Sequence, residues 1–280
     1  MRTQKSYRLT NTNTFKKALL AWAQQFDTVI WLDSNNYEQK YSSYDAVLAV
    51  EEFTSLKTDY HNAFEQLKEY QSLTKDWIFG YLSYDLKNDT EKLTSKNTSV
   101  LDFLDLYFFQ PQKLFLLKGN ILEVQYLKMV DDEIETDFKT ISKFEISPEN
   151  PSENKKINIK LTLTKDNYLE RVQKMLNHIH RGDIYEANFC QEFFAEDFSI
   201  NPLEVYKKLN SISNPPFAAF FKHLNHFAMC ASPERYLKKE GNKLISQPIK
   251  GTAKRSKNKQ KDKGLRQTLQ NDPKERSENV

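Results

Sequence analysis

Cysteine and glycine are both scarce in this chain, and their scarcity argues against two kinds of protein. The 280 residues include two cysteines, Cys190 and Cys230, and six glycines. Two cysteines without CxxC spacing are too few for a disulfide framework, so we expect a reducing compartment. Neither GxGxxG nor GxxxxGK[ST] occurs in the sequence. This argues against nucleotide binding through a glycine-rich phosphate loop.

Long apolar runs and a strong net charge are also missing. No stretch reaches the roughly 20 apolar residues that a membrane-spanning helix needs, and the first residues lack the apolar core of a signal peptide. We therefore expect a cytoplasmic protein with no membrane contact. The net charge of +3 is too small to indicate a nucleic-acid partner. The basic run at residues 254–263 has no interleaved aromatic residues, so we predict a solvated loop there.

The sequence contains a mixture of helical and strand-like patterns. Apolar residues recur at helical spacing in residues 168–179, and Gly182 follows as a stop signal. Short apolar and aromatic segments dominate residues 104–127, where Gly119 and Asn120 are typical of a tight hairpin turn. Helices and strands do not alternate strictly. The pattern therefore predicts an α+β fold with mostly antiparallel sheets packed with helices.

Composition suggests how the chain is divided. Residues 129–157 are acidic and then rich in proline and asparagine, which is typical of a linker. We therefore predict an N-terminal region at residues 1–157 and a second domain at residues 158–280. Residues 272–280 begin like a helix, with Pro273 in the first turn, but no cap or apolar face follows. We expect the second domain to be truncated, so that the fold is incomplete at the C-terminus.

Three ionisable residues in the second half are candidates for catalysis: Glu234, Lys250 and Glu278. A proline precedes Glu234, and a proline and a glycine lie close to Lys250 on either side. A lysine that is held in such a short element and shielded from water can act as a nucleophile. A nearby glutamate can transfer protons. Most lysines and glutamates are instead solvated surface groups, and composition alone would place all three in that class.

Six segments of the chain carry a family resemblance. They are residues 77–86 (WIFGYLSYDL), 179–188 (IHRGDIYEAN), 214–217 (NPPF), 231–236 (ASPERY), 248–252 (PIKGT) and 275–279 (ERSEN). In type, order and spacing they resemble the motifs of the chorismate-binding enzyme family, which includes anthranilate, aminodeoxychorismate and isochorismate synthases. The resemblance implies the fold of the anthranilate synthase large subunit.

Within the family, the residue at position 250 distinguishes activities. Members that make anthranilate usually have alanine there, whereas those that make 4-amino-4-deoxychorismate have lysine. By resemblance, Lys250 would be the nucleophile that attacks chorismate, and Glu234 would be the general acid and base. Gly251 and Thr252 would contact the substrate. The resemblance thus favours an aminodeoxychorismate synthase large subunit, which converts chorismate and ammonia to 4-amino-4-deoxychorismate for 4-aminobenzoate and folate synthesis.

The resemblance also implies a cofactor and partners. Glu278 would be one of the glutamates that hold Mg²⁺, and the metal would bind the ring carboxylate of chorismate. A glutamine amidotransferase subunit would deliver the ammonia. A tryptophan pocket is a further implication, and its residues would be Ser34, Tyr41, Tyr44, Pro216 and Phe217.

The chain departs from the family's pattern at several positions. Glu186 and Cys190 replace the usual glutamine and serine, and Lys254 stands where proline is common. Family members have a further C-terminal part with a second Mg²⁺ glutamate and a carboxylate-binding turn, so we expect this chain alone to be inactive. The alternatives are an anthranilate or isochorismate synthase, or an inactive module that docks the amidotransferase or binds tryptophan.

Overall fold

The computed structural model describes residues 1–37, 39–94, 100–145, 157–249, 251–273 and 276. The chain forms two compact units, one of Met1–Ile146 with Leu203–Val280 and one of Ser147–Pro202. Helices combine with antiparallel strands, which confirms the predicted α+β class. The predicted domain division at residue 157 stays a prediction, although the larger unit contains residues from both sides of it.

The described residues contain seven α-helices and twelve strands. The strands are β1 (Arg2–Arg8), β2 (Thr28–Asp33), β3 (Ala46–Thr58), β4 (Phe79–Leu82), β5 (Leu106–Lys118), β6 (Ile121–Leu127), β7 (Lys160–Leu161), β8 (Phe193–Phe194), β9 (Phe217–His223), β10 (His226–Ser232), β11 (Arg235–Glu240) and β12 (Lys243–Gln247). The helices are α1 (Thr12–Trp22), α2 (Ala63–Thr74), α3 (Lys87–Thr90), α4 (Ile134–Ser142), α5 (Lys165–Arg181), α6 (Pro202–Ser213) and α7 (Lys259–Asn271).

One antiparallel sheet organises the larger unit. Its strands follow the order β1-β6-β5-β3-β2-β9-β10, and β4 pairs with β5 beside this path. Strand β2 lies between β3 and β9, so that Ile30 pairs with Ala49 on one side and Phe221 on the other. This pairing joins strands almost 200 residues apart. The β9–β10 hairpin is therefore held by the N-terminal part of the sheet.

Both faces of the sheet carry apolar cores. Successive residues of a strand point to opposite faces, and the neighbours Ile30 and Trp31 accordingly belong to different clusters. On the face of Trp31, residues of α1 such as Leu19 pack together with Ile141 of α4. Burial on both sides explains why β2 is a nearly continuous apolar run.

Two sequence-based predictions of irregular structure are wrong. The predicted linker at residues 129–157 contains α4, whose Ile134 and Ile141 are buried. The predicted loop at residues 254–263 ends at Lys259, where α7 begins. The side chain of Asn258 caps α7 by accepting two backbone N–H bonds. Composition does not reveal such helices, because a capping residue and a few buried apolar residues are enough to form a helix in a polar segment.

Lys113 is a buried cation in the centre of β5, with a side chain only 4% exposed. Its Nζ donates to Glu133 and, at 3.0 Å, to Asp137. The rings of Phe26 and Tyr126 lie 5.2 and 5.4 Å from Nζ. Burial alone would lower the pKa of Lys113, but the bonds to the carboxylates outweigh it and raise the pKa above its ordinary 10.5.

Arg2 and Asp76 form a half-buried ion pair between β1 and the residues before β4. The Nε of Arg2 lies 2.9 Å from the Asp76 carboxylate, and the guanidinium also donates to the carbonyl oxygen of Pro111 at 2.6 Å. Burial would raise the pKa of Asp76, but hydrogen bonds from Arg2 and Gln110 prevail. They hold this pKa below its ordinary 3.8.

The smaller unit contains α5 and the short pair β7–β8. Thr164 caps α5 by accepting the backbone N–H of Asn167, and Gly182 ends it with a φ of 83°. The predicted stop at Gly182 is confirmed, because glycine adopts this left-handed conformation without strain. Across the described residues, every helix is too short or too polar to span a membrane.

Candidate active site

The β11–β12 hairpin brings together two of the segments that the sequence singles out, residues 231–236 and 248–252. Strand β10 ends at Ser232, Glu234 follows in the bend before β11, and β12 ends at Gln247. Because β11 and β12 run antiparallel and Arg235 pairs with Gln247, the chain before β11 meets the chain after β12. The Oε1 atom of Glu234 accepts the backbone N–H of Ile249 at 3.1 Å.

The bend that carries Glu234 is fixed by its own serine. The Oγ of Ser232 donates to the carbonyl oxygen of Glu234 at 3.0 Å and accepts the Glu234 N–H at 3.2 Å. Such a serine turn restricts the backbone locally. The Glu234 side chain itself is exposed. A carboxylate in this position is accessible to a substrate and can exchange protons with it.

Lys250 lies outside the described residues, as does Glu278, so their predicted roles stay predictions. The neighbours of position 250 are described. Ile249 donates its amide to Glu234, and Gly251 has a φ of 67°, a conformation that favours glycine. Thr252 is exposed. Position 250 therefore follows directly, in sequence, the residue that contacts Glu234.

Arg235 is a residue of this region that the sequence analysis missed. Its Nε donates to Gln247 Oε1 at 3.0 Å, within the hairpin. Its Nη2 donates to Gln39 Oε1 at 3.1 Å and to the Tyr41 carbonyl oxygen at 3.4 Å, both in the connection between β2 and β3. The guanidinium lies 4.9 Å from the Phe217 ring. Its position directly after Glu234 was the available signal, but no local pattern indicates partners so distant in sequence.

Residues predicted for a tryptophan pocket lie partly in the same region. Tyr41 contributes its carbonyl oxygen to Arg235, whose guanidinium lies over Phe217, and the Pro216 carbonyl accepts from Gln39 at 3.4 Å. Tryptophan binding stays a prediction.

Ser34 and Tyr44 have other surroundings. Ser34 Oγ is buried and has no hydrogen-bond partner among the described residues. The Tyr44 ring lies 6.3 Å from the Trp77 ring. Burial, and secondarily the charge of Glu123, raise the pKa of Tyr44.

The described part of the chain offers no cluster of three or more His, Cys, Asp or Glu side chains that could hold a metal ion. Glu234 is a single carboxylate that is already hydrogen-bonded to a backbone amide. Mg²⁺ usually binds through one or two carboxylates together with water and substrate oxygens. The predicted metal ligand Glu278 is not among the described residues, and the predicted site stays a prediction.

The mixed α+β fold is similar to those of two solved enzymes. Anthranilate synthase component I from Streptococcus pneumoniae is similar with a TM-score of 0.64 and 17% identity, over 86% of this chain and 60% of that one. The menaquinone-specific isochorismate synthase of Escherichia coli has a TM-score of 0.60 and 11% identity, over 100% and 61%. At these identities the similarity concerns the fold.

Sequence comparison identifies the family. The profile of the chorismate binding enzymes matches residues 20–280, and the chain belongs to this family. A Synechocystis anthranilate synthase component I-like protein is 29% identical over 220 residues, and aminodeoxychorismate synthase component 1 of Bacillus subtilis is 27% identical over 218. These alignments cover 78% and 72% of this chain. The chain spans 45% of the length of each of these relatives.

Proposed function

We propose that this chain is part of an aminodeoxychorismate synthase large subunit, which converts chorismate and ammonia to 4-amino-4-deoxychorismate. The observation that carries the proposal is Lys250 in the segment PIKGT, where it directly follows in sequence Ile249, whose amide donates to Glu234. An amine and a carboxylate on adjoining segments are the two groups that the reaction requires. Membership of the chorismate binding enzymes supports the choice of substrate.

In the proposed reaction, the Lys250 amine attacks C2 of chorismate. The two conjugated ring double bonds shift in turn, and the C4 hydroxyl leaves as water with a proton from Glu234. Ammonia then adds at C4, both double bonds shift back, and the bond between C2 and Lys250 breaks to restore the free amine. The new C4 ammonium returns a proton to Glu234. Each residue thus ends the cycle as it began.

The main competing activity is that of an anthranilate synthase. Relatives with that name are similar to this chain at comparable identity, such as the 26% identical protein of Thermus thermophilus. Lysine at position 250 favours the aminodeoxychorismate activity, because the competing enzymes usually have alanine there. The product of the reaction decides between them.

Three further elements belong to the proposal, of which the metal and the amidotransferase rest on the resemblance and the location on the sequence. Glu278 would help to hold Mg²⁺, which would neutralise the ring carboxylate of chorismate. A glutamine amidotransferase subunit would supply ammonia, and free ammonium can replace it in an assay. The reaction would take place in the cytoplasm.

The proposal is tested with the protein as the cell makes it, supplied with chorismate, Mg²⁺ and ammonium and coupled to an aminodeoxychorismate lyase. We expect 4-aminobenzoate to form, and Lys250→Ala to reduce its rate on the order of a thousandfold or more. Lys239→Ala, at an exposed lysine of β11, is the matched control and keeps the rate. Circular dichroism establishes that both variants fold.

Three outcomes contradict the proposal. Formation of anthranilate or isochorismate assigns the chain to the competing activities. No consumption of chorismate favours an inactive docking or tryptophan-binding module. Full activity of Lys250→Ala removes the nucleophile from the mechanism.

A further inference from the structure

We infer that Arg235 is a positioning residue for Glu234, because it braces the β11–β12 hairpin against the connection between β2 and β3. The inference rests on the proposed function in one respect, namely that Glu234 transfers protons. Arg235 itself contacts protein groups, and it would act on the reaction through the geometry of the neighbouring glutamate.

The guanidinium joins three separate parts of the larger unit. It holds the end of β12 through Gln247 at 3.0 Å, the β2–β3 connection through Gln39 at 3.1 Å, and the start of β9 through the ring of Phe217 at 4.9 Å. A planar guanidinium with several donors in fixed directions is suited to such multiple contacts, and a lysine ammonium is not an equivalent.

Lys238 makes a second contact to the same connection. Its Nζ donates to the Tyr41 carbonyl at 2.8 Å and to Ser43 Oγ at 3.0 Å, and its side chain is only 15% exposed. The Tyr41 carbonyl oxygen thus accepts from both cations of β11. Two half-buried cations of one strand therefore hold the same backbone carbonyl of the β2–β3 connection.

A β-bulge makes this convergence possible. In a regular strand, residues three apart point to opposite faces. The register of β11 against β12 shifts between Arg235 and Lys238, which pair with Gln247 and Ile245. Three steps along β11 therefore match two along β12, and the extra residue turns both side chains to the same side. The bulge thus serves the contact with the β2–β3 connection.

The bracing has a direct consequence for Glu234. Arg235 is its immediate neighbour, and the Arg235–Gln247 contact closes the hairpin where Ile249 approaches the Glu234 carboxylate. If Arg235 is removed, the segments before β11 and after β12 can separate. Misplacement of a reacting group by about 1 Å can reduce a rate on the order of a hundredfold, so a loosened hairpin affects turnover before it affects folding.

Hydrogen exchange tests the bracing without catalysis. In Arg235→Ala we expect the Ile249 amide to exchange about tenfold faster, since hydrogen bonds that close the hairpin are lost. Gln39→Ala removes one acceptor and should increase the rate by about threefold, which keeps the test valid if Arg235→Ala does not fold. Lys239→Ala is the control, with unchanged exchange. Unchanged exchange at Ile249 in both Arg235→Ala and Gln39→Ala overturns the inference.

Kinetics test whether Arg235 acts through Glu234. Chorismate consumption is followed, whatever the product, in Arg235→Ala, Glu234→Gln and the double variant. We expect Arg235→Ala to lower kcat about tenfold with KM within about twofold, and to cost little more in the Glu234→Gln background. Proportional losses in both backgrounds would show that Arg235 acts independently of Glu234.

The two tests separate this inference from the proposed function. A product other than 4-amino-4-deoxychorismate ends the proposed function, and the comparison of variants still judges Arg235. If the protein consumes no chorismate, the exchange rates at Ile249 decide the bracing alone.

Discussion

Replacement of Gly80 by alanine should destabilise the protein, because the added methyl group would clash with the backbone of the neighbouring strand. Gly80 lies in β4 opposite Phe108 of β5. A Cβ atom at this position would lie 2.7 Å from Phe108 Cα and 2.8 Å from Phe108 Cγ, and it would overlap the Tyr107 carbonyl oxygen. Strand β5 cannot yield easily, because it also pairs with β3 and β6. The shorter β4 must therefore move away from the sheet.

The cost can be estimated from what β4 loses. Overpacking a well-ordered site costs typically about 1–3 kcal/mol. Retreat of β4 also exposes part of Phe79, which is only 9% exposed, and complete burial of such a side chain is worth about 1.5–3 kcal/mol. Because the exposure is partial, we expect Gly80→Ala to lower the free energy of unfolding by about 3 kcal/mol.

Urea unfolding measures this loss, with tryptophan fluorescence as the signal. The Trp77 ring stacks on Phe79 at 6.0 Å and so reports on β4. Gly264→Ala is the matched control, since its added methyl would meet open space inside α7. Alanine in a helix interior should stabilise by up to about 1 kcal/mol. A Gly80→Ala protein within about 0.5 kcal/mol of the wild type would refute the close approach of β4 to β5.

Three further predictions concern buried or half-buried polar groups. Lys113→Met should lower the free energy of unfolding by about 2–3 kcal/mol, because the half-buried Asp137 and the more exposed Glu133 lose the buried cation that they bind. Exposed Lys128→Met is the control in thermal unfolding. Asp76 has a lowered pKa, so its stabilisation is complete above pH 3.8 and is lost as the pH falls through the folded-state pKa. Asp76→Asn should therefore flatten the acid branch of Tm against pH. If tryptophan binds at the buried Ser34 hydroxyl, it should raise Tm in the wild type and not in Ser34→Ala, and a wild-type Tm that tryptophan leaves unchanged contradicts binding.

Local signals in the sequence predict the fold class and several element ends. The hairpin turn at Gly119 and the helix end at Gly182 both occur where predicted, each with a positive φ. These positions depend on the conformational freedom of one residue and are therefore visible in a short segment. The antiparallel character of the sheet is also a local signal, because short apolar strands separated by tight turns favour antiparallel pairing.

The pairing of distant strands could not be predicted from such signals. Strand β9 pairs with β2 along six residue pairs, from Thr28 with His223 to Asp33 with Ala218. Both strands are apolar on both faces, so their patterns would fit any central position in a sheet. The linker prediction failed for a related reason. The acidic residues that suggested a linker lie in α4 and just before it, and composition gave no sign that its two isoleucines are buried.

For the candidate site, the motifs identified the segments but not their support. The contact between Glu234 and Ile249 follows from a hairpin of consecutive strands, β11 and β12. The partners of Arg235 and Lys238 lie almost 200 residues earlier, in the β2–β3 connection. The pairing of β9 with β2 brings these segments near each other, so the role of Arg235 and Lys238 depends on the part of the topology that the sequence leaves open.

The sheet and the hairpin are stabilised differently, so one variant in each should affect different properties: Gly80→Ala the stability of the protein, and Arg235→Ala its catalysis. Gly80 lies in the sheet, where packing holds the backbone, whereas Arg235 belongs to a hairpin whose large side chains Tyr236, Leu237 and Leu244 are exposed. With little apolar burial, the geometry of the hairpin depends on polar contacts, which are worth about 1 kcal/mol each. Gly80→Ala should therefore change Tm and leave Ile249 exchange in the folded state unaltered. Arg235→Ala should change that exchange and kcat with little effect on Tm. If both variants changed the same observables in proportion, the hairpin would be part of the core, and the bracing by Arg235 would not be a separate device.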